Sequence, residues 1–74
     1  MNNVITKRET EILELIAYEL TTKEIANKLY ISTHTVISHR KNLMAKLDVK
    51  NTAGLVRKGF ENGILGLLRM QTQN

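Results

Sequence analysis

Apolar residues recur along the chain in short groups with helical spacing, and a residue suited to capping a helix precedes each group. At about 100° per residue, Ile12, Leu13, Ile16 and Leu20 share one arc, while Glu11, Glu14 and Tyr18 point away from it. Upstream, Thr6-Lys7-Arg8-Glu9 has the form of a capping box, in which the Thr6 hydroxyl accepts from the Glu9 amide and Glu9 reaches back. A first amphipathic helix is therefore predicted to begin near Lys7. Thr21-Thr22-Lys23-Glu24 repeats the pattern one residue after Leu20, so a second, short helix follows a tight corner and turns Ile25, Ala26 and Leu29 inward. Tyr30-Ile31-Ser32 interrupts it, and Ser32 is a suitable N-cap for a third helix over about residues 33–47. On that helix Val36, Arg40, Leu43 and Leu47 form a core side flanked by Met44 and His39, and His34, Ser38, Lys41, Asn42 and Ala45 lie opposite. Arg40 is expected to pack its stem and send its guanidinium to the edge. Asp48-Val49-Lys50-Asn51 breaks the periodicity, after which Asn51 or Thr52 can cap a fourth helix that carries Ala53, Leu55, Val56 and Phe60 and ends at Gly63.

These elements predict an all-α fold, a four-helix bundle containing a helix-turn-helix, with a short apolar C-terminal extension. Composition agrees, because 42% of residues are hydrophobic, proline is absent and there are only three aromatics. The 74 residues make a single domain with a radius of gyration of about 11 Å, a packed part over about residues 5–63 and a tail over 64–74. Ile64 to Met70 is too apolar for a comfortable tail and is expected to pack on the domain or on a second copy, whereas Gln71 to Asn74 is expected to fray. Ile25, Ala26, Leu29, Ile31, Val36 and His39 fall where the second and third helices must touch, and Ala26 is small where close approach is required.

Charge sharpens this picture. Residues 1–31 hold four basic against five acidic side chains, a net −1, whereas Arg40, Lys41, Lys46, Lys50, Arg57 and Lys58 face Asp48 alone over residues 32–58, a net +5. A local basic field suits a polyanion such as DNA, RNA or an anionic membrane surface; an ordinary solvated face is equally compatible. No apolar run approaches the roughly 20 residues of a membrane span, and Met1-Asn2-Asn3 is not the basic start of a signal peptide. The absence of cysteine removes disulfides and thiolate metal sites, so a reducing cytoplasm is the expected compartment.

Enzymatic chemistry has no visible basis, since no nucleophile with its base, no acid pair and no glycine-rich phosphate loop can be found. His34 and His39, five positions apart on a helix, diverge by about 140° and cannot share a metal ion, so His39 is read as a core-edge residue bonding to backbone. The five glutamates before residue 25 are read as solvated helix faces. No cofactor and no small-molecule ligand are expected.

A more specific signal comes from Ile5-Thr6-Lys7-Arg8-Glu9 through Glu14-Leu15-Ile16, then Thr22-Lys23-Glu24-Ile25-Ala26, Ile31-Ser32, Thr35-Val36, His39 and Lys46-Leu47. In order and spacing, these motifs resemble the LuxR-type helix-turn-helix family over residues 5–63, and Val56 to Leu65 is similar to that family's last helix with its Glu-Asn-Gly ending. Such domains usually form the DNA-binding tail of response regulators and quorum-sensing regulators, although a few of this length stand alone. The resemblance implies a bacterial transcription regulator that binds double-stranded DNA with its third helix in the major groove. Base reading falls by resemblance to Ile37, Ser38 and Lys41, with Asn42 beside them and His34 assisting from the first turn. Many members carry a charged residue where Ile37 stands, and isoleucine can touch a thymine methyl but cannot hydrogen-bond, unless it simply pads the core edge. Phosphate anchoring falls by resemblance to Thr22, Lys23, Ser32, Thr35 and Lys46, with capping an equal role for Ser32. Dimerisation through the last helix implicates Asn51, Thr52, Leu55, Val56 and Gly59. A homodimer on DNA, with RNA polymerase as a further partner, is therefore expected; the competing reading is a protein-interaction module docking onto polymerase or another regulator.

Overall fold

The computed structural model describes residues 4–66. It contains four helices, α1 (Lys7–Ala17), α2 (Thr22–Leu29), α3 (Thr33–Leu47) and α4 (Thr52–Glu61), and no strand among the described residues. The Cα radius of gyration is 11.5 Å. No helix among the described residues is long and apolar enough to cross a membrane. The expectations for residues 67–74 lie outside the described residues.

The first three helices begin at their anticipated caps, and of the two candidates for the fourth it is Asn51 that caps it. Thr6 and Thr21 each close a full capping box with the glutamate three residues on, while Ser32 accepts from the Thr35 amide and Asn51 from the Gly54 amide. These side chains satisfy amide donors that the helices themselves leave open. The ends follow one device as well. Leu20, Ile31, Val49 and Ile64 each donate their amide to the carbonyl five residues back, at 3.1, 3.0, 3.0 and 2.9 Å. In each case the preceding residue sits in the left-handed region, as Glu19, Tyr30, Asp48 and Gly63 with φ of 70°, 58°, 55° and 73°. This is the Schellman closure, which satisfies the last carbonyls and turns the chain sharply. Because the closure is already complete at Glu19, α1 stops at Ala17 rather than running to Leu20; Leu20 still packs against the core from the corner.

Ile12, Leu13, Ile25, Val36, Leu43 and Leu55 are fully buried and draw all four helices around one centre. Ala26 is buried at the contact between α2 and α3, and Leu29 and Ile31 pack at its margin, as the helix-turn-helix reading requires. Beyond Gly63 the chain folds back and buries Leu65 over Gly59, where an added Cβ would stand only 2.7 Å from a Leu65 methyl. Glycine is therefore what permits this closure.

Two expectations about α1 are corrected. Glu14 does not point outward but is buried at 3% exposure, and Glu9 is buried to the same degree, so the glutamates of this segment are not uniformly solvated. Leu15 is also buried, widening the inward face beyond the predicted arc. In a domain this small, α1 lies against both α3 and α4, so more of its circumference is covered than one amphipathic stripe provides for.

Candidate nucleic-acid interface

The third helix presents two contrasting sides. Val36, Leu43 and Leu47 hold it to the core, and opposite them His34, Ser38, Lys41 and Asn42 are exposed. Among the described residues, none of these four side chains is committed to a hydrogen bond or ion pair within the chain. A helix anchored along one side, with free donors and acceptors on the other, matches the dimensions and chemistry of a major-groove reader. Ile37 lies at the margin of the outward side at 42% exposure and is absent from the apolar side chains packed on the core. Its exposed part is open to a partner on the outward side. His39 is half-buried at the core edge as expected, but its ring makes no hydrogen bond to backbone among the described residues. Arg40 is half-buried and its guanidinium donates to the Thr52 hydroxyl, which ties the middle of α3 to the first turn of α4.

The candidate anchoring residues divide. Ser32 and Thr35 share a hydroxyl hydrogen bond of 2.9 Å, and the Thr35 amide donates to Ser32 Oγ at 3.0 Å, so both hydroxyls build the start of α3. Thr22 is half-buried at the start of α2, and Lys23 beside it is exposed. A recess of about 390 Å³ opens next to this helix start, with Leu20, Thr22, Arg40 and Thr52 in its lining.

Lys46 belongs elsewhere. Its ammonium donates to both carboxylate oxygens of Glu9, at 2.8 and 3.0 Å, and to the Val4 carbonyl at 3.0 Å. All three donors of the ammonium are thereby taken up within the chain. Burial alone raises the Glu9 carboxyl, but the hydrogen bond from Lys46, the Thr6 amide and the Lys46 charge outweigh it and hold the group below its ordinary value. The pair clamps the C-terminal end of α3 to the first turn of α1, so the ammonium expected on a phosphate is engaged within the chain in this structure. The segment's other cations are also unequal. Arg57 is paired with Glu61 at 2.9 Å, whereas Lys41, Lys50 and Lys58 are exposed with no such partner among the described residues.

The expected dimer residues on α4 need a similar correction. Leu55 is fully buried and Gly59 lies beneath Leu65, so both serve this chain's own core and cannot meet a second copy. Asn51 is exposed, and Thr52 and Val56 are half-buried. Ala53, Arg57 and Phe60 add exposed surface to the same helix. The helical period separates these two sides.

Residues 3–58 match the family model of bacterial regulatory proteins, luxR family. The chain is 48% identical over 63 residues to the uncharacterized response regulatory protein YgeK of Escherichia coli strain K12, covering 85% of this chain and 43% of that protein. It is 45% identical over 67 residues to the spore germination protein GerE of Bacillus subtilis strain 168, covering 90% of this chain and 80% of GerE. The solved structure of the transcription factor GerE superposes with a TM-score of 0.81 and 33% identity, over 90% of this chain and 98% of that one. The response regulator ChrA of a heme-sensing two-component system superposes with a TM-score of 0.84 and 28% identity, over 88% of this chain but only 32% of its own. The chain thus spans less than half of YgeK and about a third of ChrA, and most of GerE. With its helix-turn-helix, its outward-facing third helix and these likenesses, the chain belongs to the luxR family of bacterial regulatory proteins, which bind double-stranded DNA and regulate transcription rather than catalyse reactions.

Proposed function

We propose that this chain binds double-stranded DNA in a sequence-specific manner, as a dimer in the bacterial cytoplasm, with α3 lying in the major groove. The observation that carries this reading is the outward side of α3, where His34, Ser38, Lys41 and Asn42 are exposed and unengaged beside Ile37. Lys41 reaches guanine O6 and N7, Ser38 and Asn42 serve donor and acceptor edges near it, and His34 contacts bases from the first turn. Thr22, Lys23 and the amides at the start of α3, organised by Ser32 and Thr35, hold phosphates and set the register. Lys46 acts one step back by fixing α3 to α1. The dimer forms through the side of α4 turned away from Leu55 and Gly59, with exposed Asn51, Ala53, Arg57 and Phe60 beside the half-buried Thr52 and Val56.

Selection from random duplexes at physiological salt tests this reading. Two enriched half-sites related by symmetry and about one helical turn apart are expected. A single half-site would remove the dimer, and retention without any enriched sequence would remove base reading. Lys41→Ala should then relax preference at one base position while leaving the fold intact.

A further inference from the structure

Ile37 is the one member of the proposed reading set with no polar atom in its side chain, and the structure leaves it 42% exposed. An isoleucine at the border of a helix face usually closes over the core. On α3 and the turn before it, Met44 and Ile31 are half-buried against the core, and Ile37 is more exposed than either. Its neighbours on the helix surface are Lys41 and His34, about 40° and 60° to one side, and Thr33 and Arg40, about 40° and 60° to the other; all but the half-buried Arg40 are exposed. The branched apolar side chain therefore borders the outward side of α3, with its exposed part next to Lys41 and His34.

We propose that Ile37 reads the 5-methyl group of a pyrimidine in the major groove. This rests on the reading of α3 as the base-contacting helix and adds the chemical class of one of its contacts. Of the four bases of unmodified DNA only thymine carries an apolar group on its major-groove edge, and no polar edge gains from meeting an isoleucine. Lys41, one turn further along the same side, then falls on an acceptor-rich neighbouring edge, so a thymine next to a guanine is the combination this pair of residues recognises. The methyl group, rather than the base-pair identity, is the recognised feature. A 5-methylcytosine presents the same group at the same place, so methylation of a cytosine at that position improves an otherwise poor site.

The test uses the intact chain and a duplex obtained by selection, with each thymine replaced in turn by deoxyuridine in both half-sites. Deoxyuridine removes only the methyl group and leaves pairing and O4 unchanged. One position is expected at which the wild-type protein loses about fourfold in affinity per half-site, the value of one buried methyl. The Ile37→Ala variant should distinguish the two duplexes by less than about twofold. At the same position 5-methylcytosine should bind the wild type more tightly than cytosine does, and this difference should vanish in Ile37→Ala. Helix content from circular dichroism checks the variant's fold, which an exposed side chain should not disturb. Equal binding of every deoxyuridine duplex by the wild type would overturn the inference while leaving sequence-specific binding intact. A methyl effect that persists undiminished in Ile37→Ala would likewise assign the contact to another residue. Failure to select any sequence would overturn base reading by α3 and this inference with it.

Discussion

Thr6-Lys7-Arg8-Glu9 and Thr21-Thr22-Lys23-Glu24 are one local device in two settings. In the first box the glutamate amide donates to the threonine hydroxyl at 3.1 Å and the threonine amide to the carboxylate at 2.9 Å; in the second the distances are 3.2 and 2.8 Å. The surroundings differ far more than the geometry. Glu9 is 3% exposed and holds the ammonium of Lys46 from 37 residues away, whereas Glu24 faces solvent. A carboxylate withdrawn from water needs an opposite charge and donors for both oxygens, while an exposed one is served by water. The same four-residue motif therefore acts at one site as a tertiary clamp and at the other as a helix start alone.

The largest effect expected from this contrast belongs to Lys46→Met, which keeps the stem and removes the charge. Glu9 would be left buried without its cation, at a cost of about 3 kcal/mol, the lower end for a buried pair because 24% of the Lys46 side chain remains accessible. Urea unfolding measures this, and pairing the change with Glu9→Gln should recover part of the loss. Next in size is the acid limb of stability. The folded Glu9 carboxyl titrates below its ordinary value of 4.5, so its stabilisation is complete above that range and is lost as pH falls through the lowered folded value. The urea midpoint should therefore drop below about pH 4.5, and Glu9→Gln should flatten that portion of the curve. Glu24→Ala, which removes only the reciprocal half of an exposed cap, should cost about 0.5–1 kcal/mol. Equal losses from Lys46→Met and Glu24→Ala would break the comparison.

Which features the sequence disclosed follows the same division between local and tertiary causes. Helix starts depend on a side chain and an amide three residues apart, so Thr6, Thr21, Ser32 and Asn51 could all be read directly. Helix ends depend on a left-handed residue, which Gly63 advertises and Asp48 only tolerates; Glu19 and Tyr30 adopt that conformation against their preference, and Leu20, Ile31 and Val49 pack on the core behind these turns. That is why α1 ends three residues before Leu20. The outward side of α3 was legible because helical periodicity alone separates Lys41 and Ser38 from Val36 and Leu43. The burial of Glu14, the clamp on Lys46 and the enclosure of Gly59 by Leu65 arise from segments far apart in sequence, and no local pattern announces them.

The smallest effect is the most discriminating for function. If Lys23 meets a phosphate as an exposed cation, Lys23→Ala should lower the slope of log affinity against log salt by about 0.9 per contact while binding weakens for all sequences alike. Lys46 lies on the third helix itself, and charge counting alone would assign it the same role. Its ammonium is already neutralised by Glu9, so it releases no counterion when DNA binds, and the folded Lys46→Met protein should keep the wild-type slope. Any affinity it loses should instead follow its loss of stability and be restored at lower temperature, where the fold is again fully populated. A slope lowered as much in Lys46→Met as in Lys23→Ala would mean that the clamp opens on DNA and hands its lysine to a phosphate, and the two capping boxes would then differ in timing rather than in kind.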